Sequence, residues 1–586
     1  MSLKLPQAPN AGLFKNGYQT YSSSDGAIVR NIQACKEVTS MCLTSIGPCG
    51  RNKIIVNHLG KVFITNDAAT MLKELDVVHP AVKILCMASN QQEQEMGDLT
   101  NFVMILAGEL LLLSEKLINL GLQPIEVING YNLAKIFTIK ELDNLVVDEV
   151  KSLNDKNELL KIIKPVISSK QHGLEELISE LVVDAILSVL PKNKNTKITN
   201  FNVDSIRVVK IMGSSLENSF IVKGMVFPRE PEGHIKKINS KSKVAVYTCP
   251  IDISTTETKG TVLLHNAQEM LDFSTGEEQQ LHQMVKEIHS SGVRVVIAGE
   301  AVGELALHYL NRFNILVLKV PSKFDLRRIC RVCGATPLPR LGAPMPEEAG
   351  TIDIVETKEV GGDRVTIFKQ NEEDISKTAT IVIRGATKNN LDDIERAIDD
   401  GINSVKGLLK DPRLLPGAGS SEIELVGRIT AYGEKTPGLL QLAIKTFAKS
   451  FEVIPRTLAE TSGLDTSEVI SRLYASHSKH KDSSTSTSTT TSTTESAGSE
   501  IDASVSDVDR DALTYGIDCD SESADGLCDV VEKGIFDLLC SKKNAINLAC
   551  DAACTVLSVD QIIMAKRAGG PVMPQQPKPG NWDQDD

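Results

Sequence analysis

Three short turns near the start of this chain place glycines and carboxylates directly before apolar-periodic segments. They are residues 47–53, 65–67 and 97–100, and two related pieces, an acidic helix at 392–400 and a glycine turn at 417–419, follow much later. Glycine lets a backbone approach phosphate, helix N-termini supply aligned N–H groups, and carboxylates hold Mg²⁺. The sequence therefore predicts a nucleotide site built from both ends of the chain, with a large segment inserted between them.

The composition is typical of a large globular protein. At 586 residues the chain is too long for a single hydrophobic core. The net charge of −13 argues against a nucleic-acid partner, and a solvated acidic surface is enough to explain it. The N-terminus lacks the apolar core of a signal peptide, and the most apolar stretch, residues 102–113, is too short to span a bilayer. We therefore expect a cytosolic protein without a membrane partner, whose cysteines are reduced.

The apolar pattern changes twice along the chain. Residues 28–120 are mainly helix-like, apart from a hairpin predicted at 53–65. Between residues 206 and 383 strand-like and helix-like segments alternate, and after Leu391 the pattern is helical again. We therefore predict a multidomain α+β protein, in which an α/β unit is inserted into a mainly helical unit made from both chain ends.

The C-terminal part contains two segments of unusual composition. Residues 477–510 are rich in serine and threonine, cannot bury apolar surface, and are predicted to form a disordered loop. A final helix is predicted over residues 543–566, and a Gly/Pro/Gln-rich tail occupies 569–586.

Three carboxylates are candidates for chemistry. Asp67 and Asp98 each precede a helix, where either one alone is typical of an N-cap. Because both lie near glycine turns, a Mg²⁺-phosphate cradle is the alternative. Asp400 lies about 180° around its helix from the apolar stripe that starts at Leu391. It therefore belongs either to a solvated face or to a cleft in which it faces an attacking water.

Two further patterns have a structural and a functional interpretation. The glycine turn at 417–419 precedes a helix, so it is either a glycine N-cap or a backbone contact to nucleotide. Cys330 and Cys333 form a single CxxC without a second pair of ligands nearby. Because a zinc site needs four ligands, we interpret them as buried structural cysteines.

Six segments resemble the group II chaperonins in sequence and order. They are residues 44–53, 65–70, 97–101, 395–400, 415–419 and 559–563. Three others, residues 10–15, 327–337 and 580–585, are similar to the eukaryotic cytosolic members of that family, called CCT or TRiC. The resemblance covers nearly the whole chain outside the Ser/Thr-rich segment.

The resemblance implies an ATP-driven folding machine of two stacked rings. Each ring holds eight related subunits, so the expected partners are seven related chaperonin subunits and unfolded proteins such as actin and tubulin. An equatorial domain (1–150 and 405–586) binds ATP or ADP with Mg²⁺. An intermediate domain (151–217 and 370–404) acts as a hinge. An apical domain (218–369) binds the unfolded protein and carries part of a lid that closes when ATP is bound and hydrolysed.

The resemblance also implies roles for particular residues. The residues that match the family's catalytic positions are Asp67 and Asp400, and Asp98 matches the position that holds Mg²⁺. The residues implied to contact the nucleotide are Thr44, Gly47, Pro48, Gly97, Asp98, Leu99, Thr100, Asn101, Gly417 and Asp537.

One departure from the family's pattern bears on activity. The usual Gly-Asp-Gly-Thr-Thr/Asn motif has Leu99 at its third position, and leucine is penalised there if the backbone needs a positive φ. Ala68 also stands where glycine is common. Three functions remain open: an ATP-hydrolysing chaperonin subunit, a mainly structural ring subunit that binds nucleotide weakly, and a monomeric phosphotransferase.

Overall fold

The computed structural model describes most of the chain. The described residues are 19–21, 26–75, 77–190, 201–252, 265–370, 378–486, 514–520 and 525–564. None of the helices in these ranges combines the length and apolarity that a bilayer crossing requires.

The N-terminal part is helical apart from one hairpin and two short strands. Its elements are β1 (Gln19–Tyr21), α1 (Ala27–Leu43), β2 (Lys53–Val56), β3 (Val62–Thr65), α2 (Ala68–Glu74), α3 (Pro80–Glu95), α4 (Thr100–Asn119), α5 (Pro124–Leu142) and β4 (Asp148–Glu149). Local signals set several of these boundaries: Asp67 caps α2 by accepting from Thr70 N, and Pro80 opens α3 at its first position.

The middle of the chain alternates strands and helices. Its elements are α6 (Lys156–Ser168), α7 (Glu175–Val189), β5 (Ile206–Met212), β6 (Phe220–Phe227), β7 (Lys237–Ile238), β8 (Ser242–Tyr247), α8 (Ala267–Ser290), β9 (Val293–Ala298), α9 (Glu304–Arg312), β10 (Leu316–Lys319), α10 (Lys323–Cys333), β11 (Pro337–Leu338), β12 (Gly350–Ile352), β13 (Ile354–Val360), β14 (Asp363–Lys369) and β15 (Ala379–Gly385).

These strands form two sheets. One has the order β10-β9-β8-β11, is parallel along that path, and carries β12 antiparallel to β8. Its strands are rich in buried valine and isoleucine. Parallel sheets are usually covered by helices on both faces, so their strands are apolar on both sides. The other sheet has the order β5-β15-β6-β14-β13-β7.

The C-terminal part returns to helices. Its elements are α11 (Lys388–Lys410), β16 (Arg413–Pro416), α12 (Ser420–Lys435), α13 (Leu440–Ser450), α14 (Val453–Thr461), α15 (Thr466–Ser486), β17 (Tyr515–Ile517), β18 (Leu527–Asp529), α16 (Val530–Lys533), β19 (Phe536–Leu538), α17 (Leu539–Leu557) and β20 (Ile562–Met564).

The two chain ends share one hydrophobic core. Leu106 of α4, Phe447 of α13 and Ala549 of α17 are fully buried in the same cluster. Strand β1 also pairs with β20, and β16 pairs with β4 and β19. A second cluster joins α6, α7 and α11 to strands β5 and β15. The expected mixture of helix and sheet is therefore confirmed, whereas the domain boundaries stay predictions.

Two expectations about the C-terminal part are wrong in detail. Helix α15 continues to Ser486, so the predicted loop does not begin at residue 477. The start of α15 is packed through buried Val469 and Leu473, and a helix with a packed first half propagates at little cost. Residues 487–513 lie outside the described residues, as does the tail at 569–586.

The last helix is shorter than predicted. It ends at Leu557, and β20 follows because its backbone pairs with β1.

The six-stranded sheet gives a test of the predicted apical boundaries. Residues 218–369 omit β15, the neighbour of β6, and β5 beyond it. They therefore lack Val209, Ile211 and Val382, which are buried in the cluster on that sheet. Because burying one such side chain contributes about 1.5–3 kcal/mol, a fragment of residues 204–386 should unfold at a higher urea concentration than residues 218–369. Circular dichroism measures both midpoints, and equal midpoints would support 218–369 as the complete unit.

Candidate functional site

A cavity of about 440 Å³ lies where turns from both chain ends meet. Seven of the predicted nucleotide-binding residues line it: Gly47, Pro48, Asp98, Leu99, Thr100, Asn101 and Asp537. Ala418 and Gly419, from the turn before α12, lie in the same wall, as does Lys170 from the loop after α6. The fold thus brings together most of the pieces that are far apart in the sequence.

The other three predicted nucleotide-binding residues do not line the cavity. Thr44 Oγ1 accepts a hydrogen bond from Lys53 Nζ, at 2.5 Å. Gly97 has a φ of +79°, and a Cβ there would lie 2.4 Å from Asn403 Cβ on α11. Gly417 N donates to Ile535 O at 3.1 Å. These contacts hold neighbouring segments of the chain close together. Direct contact with the nucleotide stays a prediction for each of the three residues.

Asn101 ties the three N-terminal turns together. Its Oδ1 accepts from Ala68 N at 2.6 Å, and its Nδ2 donates to Ser45 O at 3.1 Å and to Asn66 O at 3.0 Å. The side chain therefore holds the cradle in shape, and its implied contact with phosphate stays a prediction.

A buried lysine joins the two predicted catalytic carboxylates. Lys170 Nζ lies 3.2 Å from Asp67 Oδ1 and forms an ion pair with Asp400 Oδ2. Asp67 also accepts from Thr100 Oγ1 at 2.7 Å and from Thr70 N at 2.9 Å. Lys170 was not predicted from the sequence, because it belongs to no local motif. Only the fold brings it between α2 and α11.

The environments of the carboxylates push their pKa values apart. Burial alone would raise the pKa of Asp67, but Lys170 and hydrogen bonds from Thr100 and Thr70 outweigh it and hold this pKa below its ordinary value. Burial raises the pKa of Asp400 well above its ordinary value, although Lys170 opposes the shift. Asp67 therefore stays ionised near neutral pH, and Asp400 binds a proton more tightly than Asp67 does.

The structure corrects two interpretations of these residues. Asp400 is only 7% exposed, so the side of α11 that carries it is not a solvated face. Asp98 does not cap α4: the N-cap position is Leu99, and the Asp98 carboxylate accepts from Leu99 N at 2.7 Å.

The Asp98 carboxylate suits a nucleotide-bound Mg²⁺. Burial raises its pKa to about 6, and Asp537 and Asp67 add to this shift against Lys170 and Leu99 N–H. Neighbouring negative charges favour a cation here. The described residues contain no cluster of three or more His, Cys, Asp or Glu ligands. A Mg²⁺ bound with nucleotide needs only one or two protein carboxylates, because phosphates and water complete its shell.

A second buried lysine holds Asp537 in the cavity wall. Lys542 is 1% exposed. Its Nζ lies 2.8 Å from Asp537 Oδ2, 2.7 Å from Glu422 Oε1 and 2.7 Å from Ser421 Oγ. These contacts join α17 to the first turn of α12, and sequence analysis did not identify Lys542.

The backbone of Leu99 adopts the left-handed conformation, with a φ of 66°. This conformation costs an L-residue other than glycine about 1–2 kcal/mol, and Leu99 also lines the cavity. Glycine should relieve that backbone cost in the free and the bound protein alike. We expect Leu99→Gly to tighten nucleotide binding by up to about tenfold, or about 1.4 kcal/mol, because it removes a side chain that crowds the nucleotide in the cavity. Calorimetric titration of assembled particles with nucleotide measures the change.

Ala418→Gly is the matched control for Leu99→Gly. Ala418 also has a positive φ, 51°, and lines the same cavity, but it carries only a methyl group. Tighter nucleotide binding in Leu99→Gly but not in Ala418→Gly would indicate that the leucine side chain crowds the nucleotide. Weaker binding in Leu99→Gly would show that leucine packing helps form the pocket.

The structure agrees with the interpretation of Cys330 and Cys333 as buried structural cysteines. Cys330 and Cys333 are buried in α10, and both thiols are free. Burial raises the pKa of Cys330 to about 11, which makes its thiol unreactive.

Comparison with known proteins identifies the family. Residues 38–567 match the TCP-1/cpn60 chaperonin family. Proteins named T-complex protein 1 subunit theta align over the full length of both chains, with 64% identity in Saccharomyces cerevisiae, 57% in Candida albicans and 46% in Homo sapiens. The segments at 10–15, 327–337 and 580–585 indicate the same theta type. This chain belongs to the TCP-1/cpn60 chaperonin family.

Proposed function

We propose that this chain is an ATP-hydrolysing subunit of a hetero-oligomeric chaperonin. The observation that carries the proposal is the buried ion triad of Lys170, Asp67 and Asp400, next to a cavity of about 440 Å³. Glycine turns and the N-termini of α4 and α12 border that cavity, which suits the phosphates of ATP.

Each charged residue has a role in the proposed hydrolysis. Asp400 takes a proton from the attacking water, because its raised pKa makes it a competent general base. Asp67 stays ionised and holds Lys170 and Thr100 in place. Lys170 offsets negative charge on the transferred phosphoryl group.

Asp98 and Asp537 complete the proposed site. Asp98 would hold Mg²⁺, which neutralises phosphate oxygens when bound. Lys542 fixes Asp537 at the cavity wall, where Asp537 contacts the nucleotide.

The proposed assembly is a double ring in the cytosol. Each ring of eight would combine this chain with seven related subunits. The β2–β3 hairpin supports assembly: Ile54 and Val56 are 70% and 62% exposed, and within the described residues this sheet has only two strands. Unpaired edges with apolar side chains require a cover, which a neighbouring subunit supplies.

The apical part has the proposed role of binding unfolded proteins of the actin and tubulin class. ATP binding and hydrolysis would then drive closure of the lid over them. The relatives' shared name, a subunit of the T-complex, supports assembly into a hetero-oligomer.

One alternative rests on a specific observation. The left-handed backbone at Leu99 favours a mainly structural ring subunit that binds nucleotide weakly. A monomeric phosphotransferase has less support, because neither the sequence motifs nor the cavity supplies residues for a particular acceptor.

Native mass and ATP turnover separate the three functions. The chain alone weighs 63.6 kDa, and a double ring of similar subunits would weigh roughly sixteen times as much. A monomer that transfers phosphate to a second substrate would support the phosphotransferase. A ring in which this subunit binds ATP weakly and hydrolyses none of it would support the structural alternative.

A further inference from the structure

A second cavity, of about 300 Å³, adjoins the reaction centre. Asp67 and Asp400 line it, and Lys170 lines both this cavity and the nucleotide cavity. The glycine turns of the nucleotide site do not line it. A species that leaves the reaction centre past Lys170 would therefore enter this space without displacing the nucleotide.

Two arginines bring hydrogen-bond donors to this second cavity. Arg207 of β5 lines it and forms no ion pair or hydrogen bond with any residue that the structure describes. Arg396 of α11 also lines it, and its Nε is buried without a partner among the described residues. The Arg396 Nη2 group donates elsewhere, to Ile64 O at 3.1 Å and to Asp393 Oδ1 at 3.3 Å. Arginine is suited to phosphate because its planar fork donates several parallel hydrogen bonds.

Most carboxylates around the cavity already have a cationic partner. The pairs are Asp67 and Asp400 with Lys170, Asp204 with Arg328, and Glu395 with Lys210. Asp399 and Glu93, which also lines the cavity, have no such ion pair among the described residues. Burial raises the pKa of Asp399 to about 6, and the nearby charge of Glu395 adds to the shift, whereas the charges of Arg207, Lys210 and Lys170 oppose it. A ligand hydroxyl that donates a hydrogen bond to Asp399 would offset the cost of burying its carboxylate.

We propose that the second cavity binds the inorganic phosphate released by hydrolysis, with Arg207 and Arg396 donating to its oxygens and Asp399 accepting from its hydroxyl. The inference rests on the proposed ATP hydrolysis. Near neutral pH inorganic phosphate keeps a hydroxyl, whereas sulfate has none. Asp399 therefore attracts phosphate and repels sulfate, and such repulsion is a source of specificity. A water occupies about 30 Å³ of liquid, so the cavity is large enough for an ion of five heavy atoms.

Calorimetry on the full-length chain tests the site directly. The chain is first titrated with ADP and Mg²⁺, and the ADP-loaded chain is then titrated with inorganic phosphate or with sulfate. We expect phosphate to bind at least tenfold more tightly than sulfate. Arg207→Gln should weaken phosphate binding at least tenfold, because it removes a charge-assisted hydrogen bond to the anion. Arg207→Lys should weaken phosphate binding less than Arg207→Gln does, because it keeps the positive charge.

Two further variants sharpen the test. Arg327→Gln is the matched control, because Arg327 is exposed on α10 and does not line the cavity. It should bind phosphate as the unchanged chain does. Asp399→Asn removes the repulsive charge, so it should reduce the preference for phosphate over sulfate.

The outcomes separate this inference from the proposed function. Failure of ADP to bind would contradict the proposed function, and titration with phosphate alone would still test the cavity. If ADP binds but phosphate binding is absent, or is unchanged in Arg207→Gln, the inference is wrong. Equal affinity for phosphate and sulfate would also overturn it.

Discussion

Replacing Asp400 by alanine is expected to lower ATP hydrolysis at this subunit's site by about 10²–10⁴-fold, the usual contribution of a general base. Nucleotide binding should change little, because Asp400 does not line the nucleotide cavity. Lys170 would still be paired with Asp67, so the substitution leaves no buried cation without a partner. Single-turnover hydrolysis and equilibrium nucleotide binding measure the two effects separately.

Asp392→Ala is the control for that experiment. Asp392 lies on the same helix, α11, and pairs with Lys210. Lys210 keeps Glu395 as a second partner, so this change removes a carboxylate from α11 without disturbing the reaction centre. Equal loss of turnover in both variants would point to general damage to α11. Unchanged turnover in Asp400→Ala would refute its role as base.

Replacing Lys542 by methionine should destabilise the folded chain by about 3–5 kcal/mol, the usual cost of breaking a buried ion pair from one side. The substitution leaves Glu422 buried without its cation and frees Asp537 from its position in the cavity wall. Chemical denaturation followed by circular dichroism measures the stability. Nucleotide titration of the folded variant should also show weaker binding.

Lys543→Met provides the comparison at the next position. Lys543 pairs with Asp143, whose side chain is 41% exposed and which also pairs with Arg413. Exposed pairs contribute about 0–1 kcal/mol, so this variant should remain close to the unchanged chain. A similar loss of stability in both variants would mean that the burial of Lys542 is not the cause.

The parts of the fold that the sequence predicted are those with strong local signals. The hairpin formed by β2 and β3 follows from strand-like segments on either side of a turn, and α11 from its long apolar stripe. The site motifs were found for the same reason: the residues of each turn are contiguous, so their glycines and acids are visible together.

What the sequence did not reveal depends on contacts between distant segments. Lys170 and Lys542 have no motif of their own, and each gains its role only when carboxylates from other elements surround it. The pairing of β1 with β20 involves three residues at each end of the chain, too few for a periodic pattern. At Leu99 the sequence indicated a position that favours glycine, but only the backbone gave the φ of 66°.

The most direct test of the account is ATP turnover by this subunit alone within an assembled particle. The particle would carry inactivating substitutions at the catalytic carboxylates of every other subunit, and this chain unchanged. We expect Mg²⁺-dependent hydrolysis that disappears when Asp400→Ala is added. An assembled particle without any turnover at this site would contradict it, and weak nucleotide binding there as well would favour the mainly structural subunit.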